Sequence, residues 1–413
     1  MKSKKEKTQK SDNIVYENIK SEIEDLKNSI ALQSHFLYNK TNYLGSFYKS
    51  IIQDSLNNFV DEVNNTVLLE TITKHIDAVP FPKPIKPKFE FIDLFAGIGG
   101  FRIAMQNLGG HCVFSSEWDK EAKKTYYTNF GEIPFDDITK EEIKSFIPNG
   151  FDILCAGFPC QAFSIAGKRG GFEDTRGTLF FEVASIIKEK RPRAVFLENV
   201  KGLVSHDKGK TLKTILNTLR EDLGYFVPTP QIINARDFGL PQNRERIYIV
   251  AFRKDLGINE FEYPLPYNKN VVFNDVKEKN VVNGKYYLST QYLETLIKHK
   301  ERHQNKGNGF GYEIVLDSEC ANAIVVGGMG RERNLVYDDR LVDFTPQTRI
   351  KGVINREGIR RMTPREWARL QGFPEKFKII VSDASAYKQF GNSVAINAIE
   401  ATAKQIIKSL KIY

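Results

Sequence analysis

Pro159 and Cys160 follow the apolar run FDILCAG, which places a free thiol on the turn leaving a buried strand. A cysteine at the carboxyl edge of a sheet is positioned as a nucleophile, because loops on that edge are held by a rigid scaffold yet open to a ligand. Cys112 and Cys155 fall inside apolar runs and read as inert core thiols. Zinc chemistry of the base-deaminating kind needs P-C-x-x-C and an upstream H-x-E. Position 163 is Phe163 and no H-x-E occurs, so a zinc deaminase is excluded and no metal is expected. The run AVFLENV then ends on Glu198 and Asn199, bringing a carboxyl to the same edge. GLPQNRERIYIVAF adds Gln242, Arg244 and Arg246 ahead of another apolar run, and these arginines suit a phosphate or a neighbouring carboxylate equally well. Thiol, carboxyl and guanidinium around one cleft are the parts of a covalent, acid-assisted reaction.

A cofactor is indicated by FIDLFAGIGGF, in which a strand runs into Gly97, Gly99 and Gly100 and then a helix. The glycines permit a tight turn and close approach to a ligand, although their spacing departs from the dinucleotide pattern G-x-G-x-x-G. Glu117, twenty residues past Gly97 at the end of the next strand, is placed to accept two ribose hydroxyls, and Trp118 offers a flat face for a purine. Asp137 and Ile138, after the third strand region, are placed to meet the amino group and other face of adenine. Together these point to an adenosine-bearing cofactor.

The elements that must hold these groups follow from the pattern of apolar runs. FEFIDLF, HCVFSS, FDILCAG, RAVFLEN and RIYIVAF read as buried strands with room for crossover helices between them, an α/β fold with a doubly wound, mostly parallel sheet. Ahead of them, Ile19, Ile23, Leu26 and Ile30 form one helical stripe, and Phe47, Ile51, Leu56, Phe59 and Val63 another. The proline-rich VPFPKPIKPK marks an extended boundary, so residues 1–88 read as a helical extension with its linker. Alternation fails after about residue 270, where 271–358 is rich in Gly, Asn, Arg and Lys. There a smaller, loop-rich domain is expected, and Gly328, Arg331 and Arg333 in VVGGMGRERN are its candidate residues for contact with a polyanion. Arginine there fits guanine O6 and N7 or a backbone phosphate, with nothing to choose between them. RRMTPREWARLQGFP reads as a helix capped by Thr363 with Pro364 at its first position, and FGNSV as a loop entering a long terminal helix.

The chain has 413 residues, with 60 Lys plus Arg against 51 Asp plus Glu, a net charge of +9 that favours a polyanionic partner. Four cysteines cannot staple a secreted scaffold, the start MKSKKEKTQK has no apolar stretch behind it, and no apolar run reaches the roughly 18 residues of a membrane span. A cytoplasmic protein without a membrane partner is expected.

With these blocks in order (FIDLFAGIGGF, SSEWDK, ILCAGFPCQAFS, GFEDTRGTLFFE, VFLENV, QNRERIYIV, RRMTPREWARLQGFP, AYKQFGNSV), the sequence resembles the DNA (cytosine-5)-methyltransferases of bacterial type II restriction-modification systems, the HhaI-like type. The resemblance covers 89–413 except about 271–355. It implies a Rossmann-like catalytic domain over 89–270 and 376–413 binding S-adenosyl-L-methionine (AdoMet), and a target-recognition domain over 271–375 with double-stranded DNA between them. It also implies that Cys160 adds to C6 of a flipped cytosine, Glu198 acts at N3, and Arg246, supported by Arg244, holds the ring oxygen O2. Phe95, Pro159, Leu179, Asn392 and Ser393 would complete the cofactor pocket. The loop SIAGKRGGFEDTR would close on DNA through Ser164, Lys168, Arg169 and Arg176. Ala166 departs from the family's serine there, removing one phosphate contact. A monomer paired with a restriction endonuclease is the expected setting. The alternatives are a tRNA-directed cytosine-5 methyltransferase, disfavoured by the long recognition stretch, and an inactive DNA-binding paralogue, disfavoured by intact Cys160, Glu198, Arg246 and Glu117. A nicotinamide dehydrogenase fails on the glycine spacing.

Overall fold

A computed structural model describes residues 79–159, 179–267, 269–308, 311–326, 331–345 and 352–412. The two N-terminal helical stripes, Cys160, Ser164, Ala166, Lys168, Arg169, Arg176 and Gly328 lie outside these residues.

Strand β1 (Phe89–Leu94) leads through the glycine turn to α1 (Gly100–Asn107), β2 (Gly110–Ser116), α2 (Lys120–Phe130), α3 (Glu141–Ser145) and β3 (Ile153–Ala156). There follow α4 (Leu179–Lys190), β4 (Ala194–Val200), α5 (Lys210–Asn217), β5 (Tyr225–Phe226), β6 (Gln231–Asn234), β7 (Gln242–Asn243) and β8 (Glu245–Arg253). The main sheet has the order β2-β1-β3-β4-β8-β5, with β6 also paired to β8. Strands β1 to β4 are parallel, whereas β8 runs antiparallel to β4, β5 and β6. All five expected strands are present. Because β2 and β3 lie on opposite sides of β1, the strand order reverses there, and the carboxyl ends of β1 to β4 frame a crevice.

Both sheet faces are covered, which is why these strands read as continuous apolar runs. Phe91, Ile153, Phe196 and Val250 face a layer that includes Phe101, Ala104, Ile399 and Ile406. Ile92, Leu154, Val195 and Ile249 face Phe180, Val183, Ile187 and Ile215. In the proline-rich segment, Phe81 is buried against Phe130 and Phe377.

Beyond β8 come α6 (Thr290–Gln304), β9 (Ile314–Val315), β10 (Ala321–Asn322), β11 (Leu335–Tyr337), β12 (Ile359–Arg361), α7 (Pro364–Leu370), α8 (Asp383–Asn392) and α9 (Ile396–Ser409). Strands β9, β11 and β12 form a small sheet, and β10 pairs with β7. The stretch after 270 is loop-rich as expected and also contains the fifteen-residue helix α6, whose buried residues are only Leu293 and Leu296, too narrow a stripe to stand out among charged neighbours. One sequence expectation is corrected here. FGN is not a loop but the last turn of α8, in which Gly391 is buried. Helix α7 begins as expected: Thr363 accepts from the Glu366 N–H, the Glu366 side chain returns to Thr363, and Pro364 opens the first turn. Trp367, Ala368 and Leu370 of α7 belong to the same buried cluster as α8 and α9.

Candidate active site

The glycine turn is shaped by its surroundings. Phe95 has φ 60°, Gly97 56° and Gly99 86°, so the chain leaves β1 through a left-handed bend. A Cβ on Gly99 would lie 2.3 Å from the Phe130 ring, and one on Gly100 would lie 2.9 Å from Ser393 Oγ. The third glycine, which breaks the dinucleotide spacing, is thus the place where α1 packs against the segment entering α9.

Glu117 stands directly after β2 and closes this turn. Its Oε2 accepts from Gly97 N at 2.8 Å and its Oε1 from Asp119 N at 2.7 Å. Burial pushes the Glu117 carboxyl above the ordinary range, while these backbone donors oppose the shift. Each oxygen keeps a lone pair for a further donor. Trp118 beside it is 76% exposed, a free aromatic face on the rim. Asp137 and Ile138 come before β3 rather than after it: Phe135 bridges Ser116 at the end of β2, which brings the following residues to the crevice. Asp137 Oδ1 accepts from Thr139 N, and Ile138 is buried.

At the other end of the crevice, Glu198 on β4 is 8% exposed and its Oε1 lies 3.1 Å from Arg246 Nε on the antiparallel neighbour β8. Burial raises the Glu198 pKa from the usual carboxylate value, and the attraction of Arg246 and then Arg244 opposes it. The adjacent Asn199 donates to Phe158 O at 2.8 Å, tying β4 to the turn that carries Pro159. A Cβ on Gly157 would lie 3.8 Å from Glu198 Oε2, so the carboxyl reaches the stem of the Cys160 loop.

Arg244 is built differently from Arg246. It is 3% exposed and donates to three backbone carbonyls: Ile324 O at 2.9 Å, Gly391 O at 3.2 Å and Ser393 O at 2.6 Å. Its Nε has no partner among the described residues. Burial lowers its pKa to about 9.

One cavity of about 830 Å³ joins the two ends. It is lined by Phe95, Gly97, Gly100, Glu117, Trp118, Asp137, Ile138, Pro159, Leu179, Glu198, Arg244, Arg246, Asn392 and Ser393. The cofactor residues and the catalytic carboxyl expected from sequence therefore meet in one space, except Gly99, which packs on Phe130 behind it. Arg331 lies elsewhere, its guanidinium 5.3 Å from the centre of the Tyr387 ring, and Arg333 faces Glu313 at 3.4 Å. Sequence reasoning missed Lys388, which lines the cavity and bonds Asp119 Oδ2 across its mouth at 2.6 Å. It also missed Gln371, which is fully buried and donates to Phe390 O and Ser393 O. Nothing in residue type or spacing distinguished either from its neighbours.

Cys112 and Cys155 are buried as expected. Burial pushes the Cys112 thiol up to about 12 and raises that of Cys155. Among the described residues no helix is long and apolar enough to cross a membrane.

Residues 89–408 match the family described as C-5 cytosine-specific DNA methylase. The chain is 69% identical over 351 residues to the type II methyltransferase M.HpaII of Haemophilus parainfluenzae, covering 85% of this chain and 98% of that one. It is 42% identical over 327 residues to the type II methyltransferase M.HhaI of Haemophilus parahaemolyticus, covering 78% and 94%. Among solved structures, the S. pombe Dnmt2 methyltransferase shares the fold, with a TM-score of 0.58 at 19% identity over 78% of this chain and 99% of that one.

Proposed function

The chain belongs to the C-5 cytosine-specific DNA methylase family and is a DNA (cytosine-5)-methyltransferase, and from that premise we propose that it methylates a flipped cytosine within one short duplex sequence, through a covalent adduct between Cys160 and C6. The observation that carries this reading is the single cavity. It holds a ribose-binding carboxylate, Glu117, at one end and a buried carboxyl with its arginine, Glu198 and Arg246, at the other.

The residues present fit AdoMet. Glu117 would hold the ribose hydroxyls, Trp118, Phe95 and Ile138 the adenine, Asp137 its amino group, and Leu179, Pro159, Asn392 and Ser393 the remainder, in a cavity of the size expected for a cofactor. When bound, AdoMet supplies an electrophilic methyl group on a sulfonium.

The chain's own task is to make C5 of cytosine nucleophilic. The Cys160 thiolate adds to C6, and electron density moves toward N3, where the Glu198 proton meets it. A carboxyl raised by burial keeps that proton nearer neutral pH than an exposed glutamate would. Arg246 holds the ring oxygen O2, and Arg244 fixes the surrounding backbone. After C5 carries its methyl, loss of the C5 proton and β-elimination return the electron pair to Cys160 and restore the ring. Because no side chain reaches C6 inside a stacked duplex, the cytosine must leave the helix to enter the cavity.

The catalytic domain takes 89–270 and 376–413, and the stretch between reads the duplex. Ser164, Lys168, Arg169 and Arg176 close over the DNA, and Gly328, Arg331 and Arg333 contact it. The protein acts as a cytoplasmic monomer, protecting host DNA from a cognate endonuclease, a setting supported by relatives named as type II methyltransferases.

The test is bisulfite sequencing of DNA from a host without cytosine-5 methylation, expressing the wild type or Cys160→Ser. Protection at one recurring sequence, lost in the variant, is the expected result. No protection by folded wild-type protein would overturn the reading, and tRNA would then be assayed.

A further inference from the structure

Gln242 precedes both arginines of the QNRER block, is completely buried, and has no part in the chemistry described above. Its Nε2 donates to Leu370 O at 2.8 Å and Gln371 Oε1 at 3.2 Å, at the end of α7. Its Oε1 accepts from Ile324 N at 3.0 Å, while Arg244 donates to Ile324 O. Both backbone groups of Ile324 are therefore held by two side chains of one short segment. Ile324 follows β10, whose two-residue pairing with β7 sets Ala321 opposite Gln242 and Asn322 opposite Asn243. Immediately beyond it, a Cβ on Gly391 would lie 3.2 Å from Val326 N, so this backbone rests on the last turn of α8 at the cofactor cavity. Asn322 also ties the two sides of the stretch together, N to Asn334 Oδ1 at 2.8 Å and Nδ2 to Arg333 O at 3.0 Å.

We propose that Gln242 is a positioning residue that sets sequence specificity: its amide fixes the register of 321–326 against the cytosine cavity, so that the arginines that follow, Arg331 and Arg333, meet the duplex at one distance from the reacting base. This rests on the reading above that these arginines contact DNA. A two-residue strand pair specifies register weakly, and a slip by one residue turns every side chain to the opposite face. A directional amide forbids the slip, whereas an apolar side chain of the same size would fill the space and permit it. The contacts of Glu198 with Arg246 and of Glu117 with Gly97 do not pass through Gln242.

The test is Gln242→Met, which keeps length and volume. Single-turnover rates are measured on the duplex that wild-type methylation identifies and on duplexes altered by one base pair. The ratio of these rates should fall about tenfold, within the range one base pair's discrimination spans. S-adenosylhomocysteine affinity should stay within about twofold and the saturated rate on the target within about threefold, a split that loss of folding alone would not produce. A ratio equal to wild type, with or without lower stability, overturns the proposal. Hydrogen exchange of the Ile324 amide in the wild type tests the anchor even if the variant fails to fold: protection matching β8 is expected, and exchange at the rate of an open loop overturns it. Absence of methylation by the wild type would instead refute the functional reading.

Discussion

Glu198 and Arg246 are joined at 3.1 Å across an antiparallel strand pair, Glu198 opposite Tyr248 and Arg246 opposite Val200 in register, with both side chains largely shielded from water. The carboxyl would be expected to ionise beside a guanidinium, yet burial outweighs that attraction and its pKa is raised. The carboxyl thereby holds its proton more tightly than an exposed glutamate would, although a guanidinium lies beside it.

Glu198→Gln should lower single-turnover methylation by about 10²- to 10⁴-fold, the usual contribution of a general acid. S-adenosylhomocysteine binding, read by calorimetry, should be nearly unchanged. In the wild type the acid form is the active one, so the Glu198 contribution should decline as pH rises through its raised pKa. The variant should lack that limb; the same limb in both would refute the assignment.

Replacing Glu117 with Gln should weaken cofactor binding while leaving DNA binding intact. The substitution removes a charged acceptor worth about 1.5–3 kcal/mol per hydrogen bond and disturbs the bonds to Gly97 and Asp119. Equilibrium dialysis with AdoMet and gel shift with duplex DNA separate the two. Equal loss of both would point to general unfolding of the turn.

Asp93 is fully buried on β1, and burial raises its pKa to about 8, with the attraction of Arg102 opposing the shift. The folded state therefore holds a proton that the unfolded chain releases near 3.8. Its stabilising effect is complete below that value and is lost as pH rises toward 8. Asp93→Asn should accordingly stabilise the protein more at pH 8 than at pH 5, by over about 1 kcal/mol of difference in urea unfolding, since each tenfold change in proton affinity is worth about 1.4 kcal/mol. An equal effect at both pH values would show that Asp93 is not protonated.

Arg360 on β12 is fully buried between Asp338, 2.9 Å from its Nε, and Glu366, which accepts from both terminal nitrogens at 2.8 Å. Removing the guanidinium leaves the buried Glu366 without its cation and Asp338 with Arg340 alone, so Arg360→Met should cost about 3–5 kcal/mol. Arg340 and Arg360 hold the Asp338 carboxyl well below its usual range. That stabilisation is present above the ordinary carboxylate pKa and fades as pH falls below it. Asp338→Asn should therefore cost more at pH 7 than at pH 3 in thermal unfolding.

What residue order determined by itself was local. Apolar runs lying between two covered faces fixed the strands, and the positions of Glu198, Glu117 and the glycines relative to strand ends placed them at one edge of a sheet. Helix α7 was legible because its cap is encoded in four adjacent residues, Thr363 to Glu366. Tertiary structure decided what depends on partners far along the chain. The FGN segment is helical because α8 packs its Gly391 under the backbone of Val326, where any side chain would collide. Asp137 reaches the cavity ahead of β3 because Phe135 bridges Ser116, and Arg244 serves three carbonyls because Ile324, Gly391 and Ser393 converge on it. Asp93 looked like any strand residue, and its displaced pKa arises from burial among groups contributed by other elements. Periodicity and capping act within a few residues, whereas desolvation and shared hydrogen bonds are set by which segments the fold brings into contact.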